Sequence, residues 1–233
     1  MADRLVDSLP PDPRPGAVLE LGCGTGHLTR ALTRRLAEVP ILATDLSVEM
    51  LQDARENWDL PCRPDWRRLD ARKPELPGKT FDLVASNALV QWFEDLEEHF
   101  RRCRGLATSD GWLAVSGFCD DHFPELDRIL TRPPFEYPRG PGHSTAAVEK
   151  ALRGSGWTPT SLVAEEWPVP YPSAWSFLQQ LRDSGANRHP VPGRDLGRGG
   201  LRSLLDRLES EAAGPEGILI TWKPWFLIAR ASG

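Results

Sequence analysis

Along the first half of the chain, short apolar runs are separated by stretches in which apolar residues recur at helical spacing. The runs predict strands over Ala17–Leu21, Pro40–Thr44, Trp66–Leu69, Phe81–Ser86 and Gly111–Phe118. The helical stretches fall at Asp3–Leu9, His27–Ala37, Ser47–Asn57 and Leu96–Leu106. The proline-rich Pro10–Pro15 ends the first helix, because proline cannot donate within one. Ser47 is placed to cap the third, with Met50, Leu51 and Ala54 facing inward. Strand–helix alternation of this kind predicts an α/β fold, a mostly parallel sheet with helices on both faces.

Beyond Cys119 the pattern loosens. Helices are expected at Phe123–Leu130, Ser144–Ser155, Ser173–Ser184 and Leu201–Ala213. Strands are expected at Ser161–Tyr171 and, as one long strand or a hairpin, at Ile218–Ala229. Thr131–Gly142 and Arg188–Gly200 read as long loops, of the kind that serve as lids or binding loops. The expectation is one domain. Residues 1–119 form its cofactor-binding half, and residues 120–233 a helical elaboration on the substrate side with the last two strands.

Composition narrows the function. Of 233 residues 40% are hydrophobic, enough to bury a core. The net charge of −5 argues against nucleic acid as a partner, which calls for a basic face. Arg far outnumbers Lys, so an anion site here would be built from guanidinium groups. Cys23, Cys62, Cys103 and Cys119 are scattered, with no metal-ligand spacing, and point to a reducing cytoplasmic setting without zinc or disulfides. Neither a signal segment nor a membrane span is recognisable.

The strongest chemical signal is Glu20-Leu21-Gly22-Cys23-Gly24-Thr25-Gly26, where a strand runs through alternating glycines into a helix. Glycine permits positive φ and lets a ligand lie against the backbone. The helix start adds free N–H groups. The spacing differs from the dinucleotide G-x-G-x-x-G, so a pyrophosphate is not the obvious ligand. Asp45 stands at the end of the second strand, where a carboxylate can accept both hydroxyls of a ribose. Asp70, followed by Ala71, could accept an adenine amino group, or be a turn residue. Asn87 ends the fourth strand, at the sheet edge where open α/β folds bind ligands, and could contact cofactor backbone or be a turn residue.

These residues resemble a known family. Glu20–Gly26 is similar to the first motif of class I S-adenosylmethionine-dependent methyltransferases, Asp45–Leu51 to the second and Phe81–Asn87 to the fourth. The resemblance implies a Rossmann-like seven-stranded sheet whose last strand is antiparallel. It implies S-adenosylmethionine as cofactor, with the loop (Glu20, Gly22, Cys23, Gly24, Gly26) beside its methionine part. Asp45 would lie on the ribose and Asp70 near adenine, and Leu46, Met50, Ala71 and Asn87 complete the expected cofactor-binding set.

A narrower resemblance rests on Ser86-Asn87-Ala88-Leu89-Val90-Gln91-Trp92 and on Phe177–Asn187, which look like segments of the malonyl-acyl carrier protein O-methyltransferases of biotin synthesis. Members of that family carry an aromatic N-terminal extension, whereas the first strand here is expected from Ala17. The substrate so implied is acyl carrier protein bearing a malonyl group. A carboxylate is already ionised at pH 7, so its methylation needs no general base. Gln91 could orient an oxygen and Trp92 wall the site, unless Trp92 is simply core. Arg139, His143, Arg182 and Lys223 are candidates by charge to hold the far end of the substrate. Arg188, Arg194, Arg198 and Arg202 could greet an acidic carrier. Two alternatives remain open: a methyltransferase for a small acid such as trans-aconitate, and an inactive methyltransferase-like binding subunit.

Overall fold

In a computed structural model of the protein, residues 1–11, 15–137, 142–183 and 196–232 are described. The chain forms two compact units. One comprises Met1–Gly117, His143–Ala164 and Trp225–Gly233; the other comprises Phe118–Gly142 and Glu165–Pro224.

The first unit is built on strands β1 (Val18–Leu21), β2 (Ile41–Asp45), β3 (Asp65–Arg68), β4 (Phe81–Asn87), β5 (Ala107–Phe118), β6 (Trp157–Ala164) and β10 (Pro224–Ala231). They form one seven-stranded sheet in the order β3-β2-β1-β4-β5-β10-β6. Strands β1 to β5 pair in parallel, and β10 runs antiparallel to β6. This is the Rossmann-like, mostly parallel sheet that the first half of the sequence predicts. Every residue of β1 is buried, as expected of a central parallel strand covered on both faces. Edge strand β3 carries exposed Arg67 and Arg68, which discourages further pairing.

The covering helices are α1 (Ala2–Asp7), α2 (His27–Arg35), α3 (Val48–Glu56), α4 (Leu96–Leu106) and α6 (Thr145–Arg153). Three of them, α3, α4 and α6, start at a capping side chain. Ser47 accepts from the Met50 amide at 3.2 Å, Asp95 from Glu98 at 2.9 Å and Ser144 from Ala147 at 3.3 Å. Each such cap contributes about 1 kcal/mol.

The second unit holds α5 (Pro124–Leu130), α7 (Ala174–Asp183), α8 (Gly197–Glu211) and strands β7 (Trp167–Tyr171), β8 (Ala213–Gly214) and β9 (Gly217–Trp222). Its core gathers Phe123, Ile129, Phe177, Leu204, Leu208 and Ile220. Beside the expected helices it contains a small antiparallel sheet, ordered β7-β9-β8, that the sequence pattern does not reveal.

Several boundaries differ from expectation. Strands β5 and β6 begin at Ala107 and Trp157, each four residues early. The run Ser161–Tyr171 is two strands in two sheets, β6 and β7, interrupted at Glu165 and Glu166. Pro168 and Pro170 suit β7 because it is an edge strand. Likewise Ile218–Ala229 divides at Lys223 into β9 and β10. Gly197–Gly200, expected as loop, begins α8, because Leu204 and Leu208 bury one face of that helix despite its glycines.

Candidate functional site

The carboxyl ends of β1, β2, β3 and β4 lie along one edge of the parallel sheet, and most of the predicted site residues cluster there. The loop after β1 is tied to its neighbour: the Cys23 amide donates to the Thr44 carbonyl at 2.8 Å, and the Gly24 amide to Asp45 Oδ2 at 2.8 Å. The other Asp45 oxygen accepts from the Ser47 amide at 2.9 Å. Asp45 therefore organises both the loop and the entry to α3. It is half-buried, and each oxygen keeps a lone pair for a ligand.

Two glycines of this loop do different work. Gly22 has φ +68, and a Cβ there would lie 2.6 Å from Leu89 Cδ1, so Leu89 fills the space a side chain would need. Gly24 has φ +53, and nothing lies within 4 Å of where its Cβ would be. Gly22 is thus a packing glycine, whereas Gly24 leaves backbone open to a ligand.

Glu20 belongs to the interior. It is fully buried and accepts from Thr29 Oγ1 at 2.6 Å, and burial raises its pKa to about 8. The Thr29 hydroxyl lowers it, and the nearby Asp45 charge adds a further rise. Burial likewise pushes up the Cys23 thiol, which is not a nucleophile in this setting. The sequence reading missed Thr29, although a polar residue on the buried stripe of α2 was the available signal.

Farther along the edge, both oxygens of Asp70 are taken by Arg72, through Nε at 3.0 and 3.1 Å and Nη2 at 2.7 Å. That guanidinium holds the Asp70 carboxyl below its usual range. Ala71 is buried and Met50 half-buried, whereas Leu46 is 48% exposed beside Asp45. Asn87 Oδ1 accepts from Ser116 Oγ at 2.7 Å.

After β4 the chain takes a left-handed step at Ala88, φ +52, into a 3-10 turn, Val90–Trp92. Gln91 Nε2 donates to the Ala88 carbonyl at 2.7 Å, and its buried Oε1 has no hydrogen-bond partner. Trp92 is 39% exposed, so it is not core packing. Phe93 stacks on buried His99 instead, with ring centroids 4.0 Å apart.

The candidates for the far end of the substrate separate. His143 reaches the turn, with Nε2 3.2 Å from the Val90 carbonyl. Arg182 is exposed near the end of α7, in the second unit. Lys223 sits between Asp121 at 2.9 Å and Glu166 at 3.0 Å. Its charge is matched twice, which corrects the expectation that it serves as a ready carboxylate holder. Arg139, Arg188 and Arg194 lie outside the described residues, as do Ser184–Asn187 of the late resemblance. Arg198 and Arg202 are exposed one helical turn apart on α8. Among the described residues no group of His, Cys, Asp and Glu is arranged to hold a metal ion, and no helix is long and apolar enough to cross a membrane.

A model of the methyltransferase domain family matches residues 18–111, which hold the glycine loop, Asp45, Asp70 and the turn. A malonyl-[acyl-carrier protein] O-methyltransferase of Magnetococcus marinus is 31% identical over 95% of this chain and 80% of its own length. The chain belongs to the malonyl-[acyl-carrier protein] O-methyltransferase family. It is an S-adenosylmethionine-dependent methyltransferase. The biotin biosynthesis bifunctional protein BioCD of Bordetella avium is also 31% identical, over 91% of this chain; the chain spans 44% of that relative's length. An S-adenosylmethionine-dependent methyltransferase structure from Mesorhizobium loti shares the fold at 20% identity, with a TM-score of 0.58 over 99% of this chain and 98% of the other. The site suits the cofactor of this methyltransferase family: open backbone at Gly24 stands next to a half-buried carboxylate, Asp45, with acceptor capacity left.

Proposed function

We propose that this protein methylates the free carboxylate of a malonyl group carried on acyl carrier protein, a step of biotin synthesis. The observation that carries the reading is the similarity to a relative of that name over 95% of this chain, well beyond the cofactor motifs. When bound, S-adenosylmethionine supplies a methyl carbon on a positively charged sulfur, from which the ionised substrate carboxylate displaces a neutral thioether.

The chain's residues divide the remaining work. Asp45 accepts the ribose hydroxyls, with Leu46 and Met50 as its apolar flank. Gly24, backed by Gly22, Cys23 and Gly26, lets the methionine part lie against the backbone. Asp70 and Ala71 bound the adenine, for which Arg72 must turn aside; the exposure of that pair makes the movement cheap. Asn87 faces the cofactor backbone. Gln91 and Trp92 align the acceptor oxygen and keep water from an attack that joins a cation to an anion. Glu20 supports the loop from inside without touching the ligand.

The second unit receives the carrier. Arg198 and Arg202 offer exposed guanidinium groups to an acidic partner. The unpaired cysteines fit a reducing compartment, the cytoplasm.

The test is methyl transfer from labelled S-adenosylmethionine to malonyl-acyl carrier protein, with succinyl-carrier, malonyl-coenzyme A and trans-aconitate alongside. The expected result is preferential label on the malonyl carrier. Label chiefly on trans-aconitate would replace the carrier with a small acid. Cofactor binding without transfer to any acid would favour a binding subunit.

A further inference from the structure

The turn that carries Gln91 and Trp92 is held partly by its own short backbone bonds and partly from outside. Ala88 adopts a left-handed conformation that a side chain resists. The three-residue 3-10 turn after it closes two bonds of its own, from the Trp92 amide to the Leu89 carbonyl and from the Phe93 amide to the Val90 carbonyl, each 3.1 Å. Two bonds fix so short a turn only locally, and its placement depends on supports from around it. The Ala88 amide donates to the Ser116 carbonyl at 3.0 Å, Leu89 fills the space above Gly22, and Gln91 folds back on Ala88.

A further support arrives from far along the chain. His143 lies 53 positions from Val90, yet its Nε2 is 3.2 Å from the Val90 carbonyl oxygen. A carbonyl only accepts, so Nε2 carries the proton and donates. The imidazole stands on a fixed base. His143 directly precedes Ser144, the N-cap of α6, and that helix is anchored by buried Val148, Ala151 and Leu152. His143 and the turn belong to the same compact unit.

We infer that His143 is a positioning residue for methyl transfer. It pins the Val90 carbonyl to the start of α6 and thereby fixes where Gln91 and Trp92 stand. The inference rests on the reading of those two residues as the acceptor end of the site. It replaces the charge-based expectation that His143 grips the substrate itself. Catalysis by alignment is sensitive to such a support, because a displacement of about 1 Å can cost up to a hundredfold in rate.

The test compares His143→Phe, which keeps an aromatic ring and removes the donor, with His143→Gln, whose amide restores a donor. For each, kcat and KM with malonyl-acyl carrier protein are measured, with S-adenosylmethionine affinity by calorimetry and Tm. The expected result is an approximately tenfold fall in kcat for His143→Phe, cofactor affinity unchanged, and recovery of most of kcat in His143→Gln. If His143→Phe lowers Tm markedly, His143→Ala takes its place. Unchanged kcat in the donor-less variant, or a His143→Gln enzyme as slow as it, would overturn the inference. Gln91→Leu and Trp92→Ala are run alongside. If they slow turnover and His143→Phe does not, only the positioning role fails. If they leave turnover intact, the reading of the turn fails, and the role of His143 with it.

Discussion

The loop after β1 has an inner and an outer side, and they differ in what they ask of similar residues. On the inner side, Glu20 is buried against Thr29 and Gly22 is filled by Leu89. On the outer side, Asp45 is half-buried with lone pairs to spare, and Gly24 faces open space. Both sides use one carboxylate and one glycine. Burial separates a pair that only holds the fold from a pair that also leaves acceptor atoms and backbone open, as the proposed cofactor site requires. A glycine-rich motif is therefore not a row of equivalent contacts, and substitutions along it separate stability from binding.

The largest effect is expected at Gly22. Gly22→Ala forces both a strained φ and a clash with Leu89, and should cost about 3 kcal/mol of stability in denaturant unfolding. Gly24→Ala should cost only about 1 kcal/mol, with its main loss in cofactor affinity. Equal losses of stability would erase the distinction between the two sides.

Asp45→Ala comes next. Losing charge-assisted hydrogen bonds to a ribose should weaken S-adenosylmethionine binding about 10- to 100-fold by calorimetry. Unchanged affinity would remove Asp45 from the ligand side.

Glu20→Gln is expected to act through pH. The folded-state pKa of Glu20 is raised from 4.5 to about 8, so between those values the folded protein holds a proton that the unfolded chain releases. Stability from this group is fully present below pH 4.5 and is lost as pH rises through about 8. Glu20→Gln should therefore gain Tm relative to the parent progressively across that window, with a plateau above it. A Tm difference independent of pH would mean that Glu20 is not held protonated.

The smallest effect is expected at Arg72. Its pair with Asp70 is exposed, so Arg72→Ala should change cofactor affinity by no more than about threefold. A large loss would show that Arg72 itself contacts the ligand.

Much of this was legible in the sequence, unevenly. Short buried strands, alternating glycines and side-chain caps are local signals, so β1, β2, β4 and α4 stand within a residue or two of where the pattern puts them. The second unit was harder. A pair of glutamates and a single lysine, rather than a turn sequence, mark where Ser161–Tyr171 and Ile218–Ala229 pass from one sheet to another. Non-local contacts left no trace in the pattern. Leu89 over Gly22, Arg72 on Asp70 and the cage around Lys223 depend on side-chain placement, which neither periodicity nor charge encodes.

The most direct test of the whole account is intact-mass spectrometry of malonyl-acyl carrier protein incubated with the protein and S-adenosylmethionine, beside an acetyl-carrier that lacks the free carboxylate. The account predicts a mass gain equal to one CH2 unit on the malonyl carrier and none on the acetyl carrier. A gain on both, or on neither while the cofactor still binds, would contradict it.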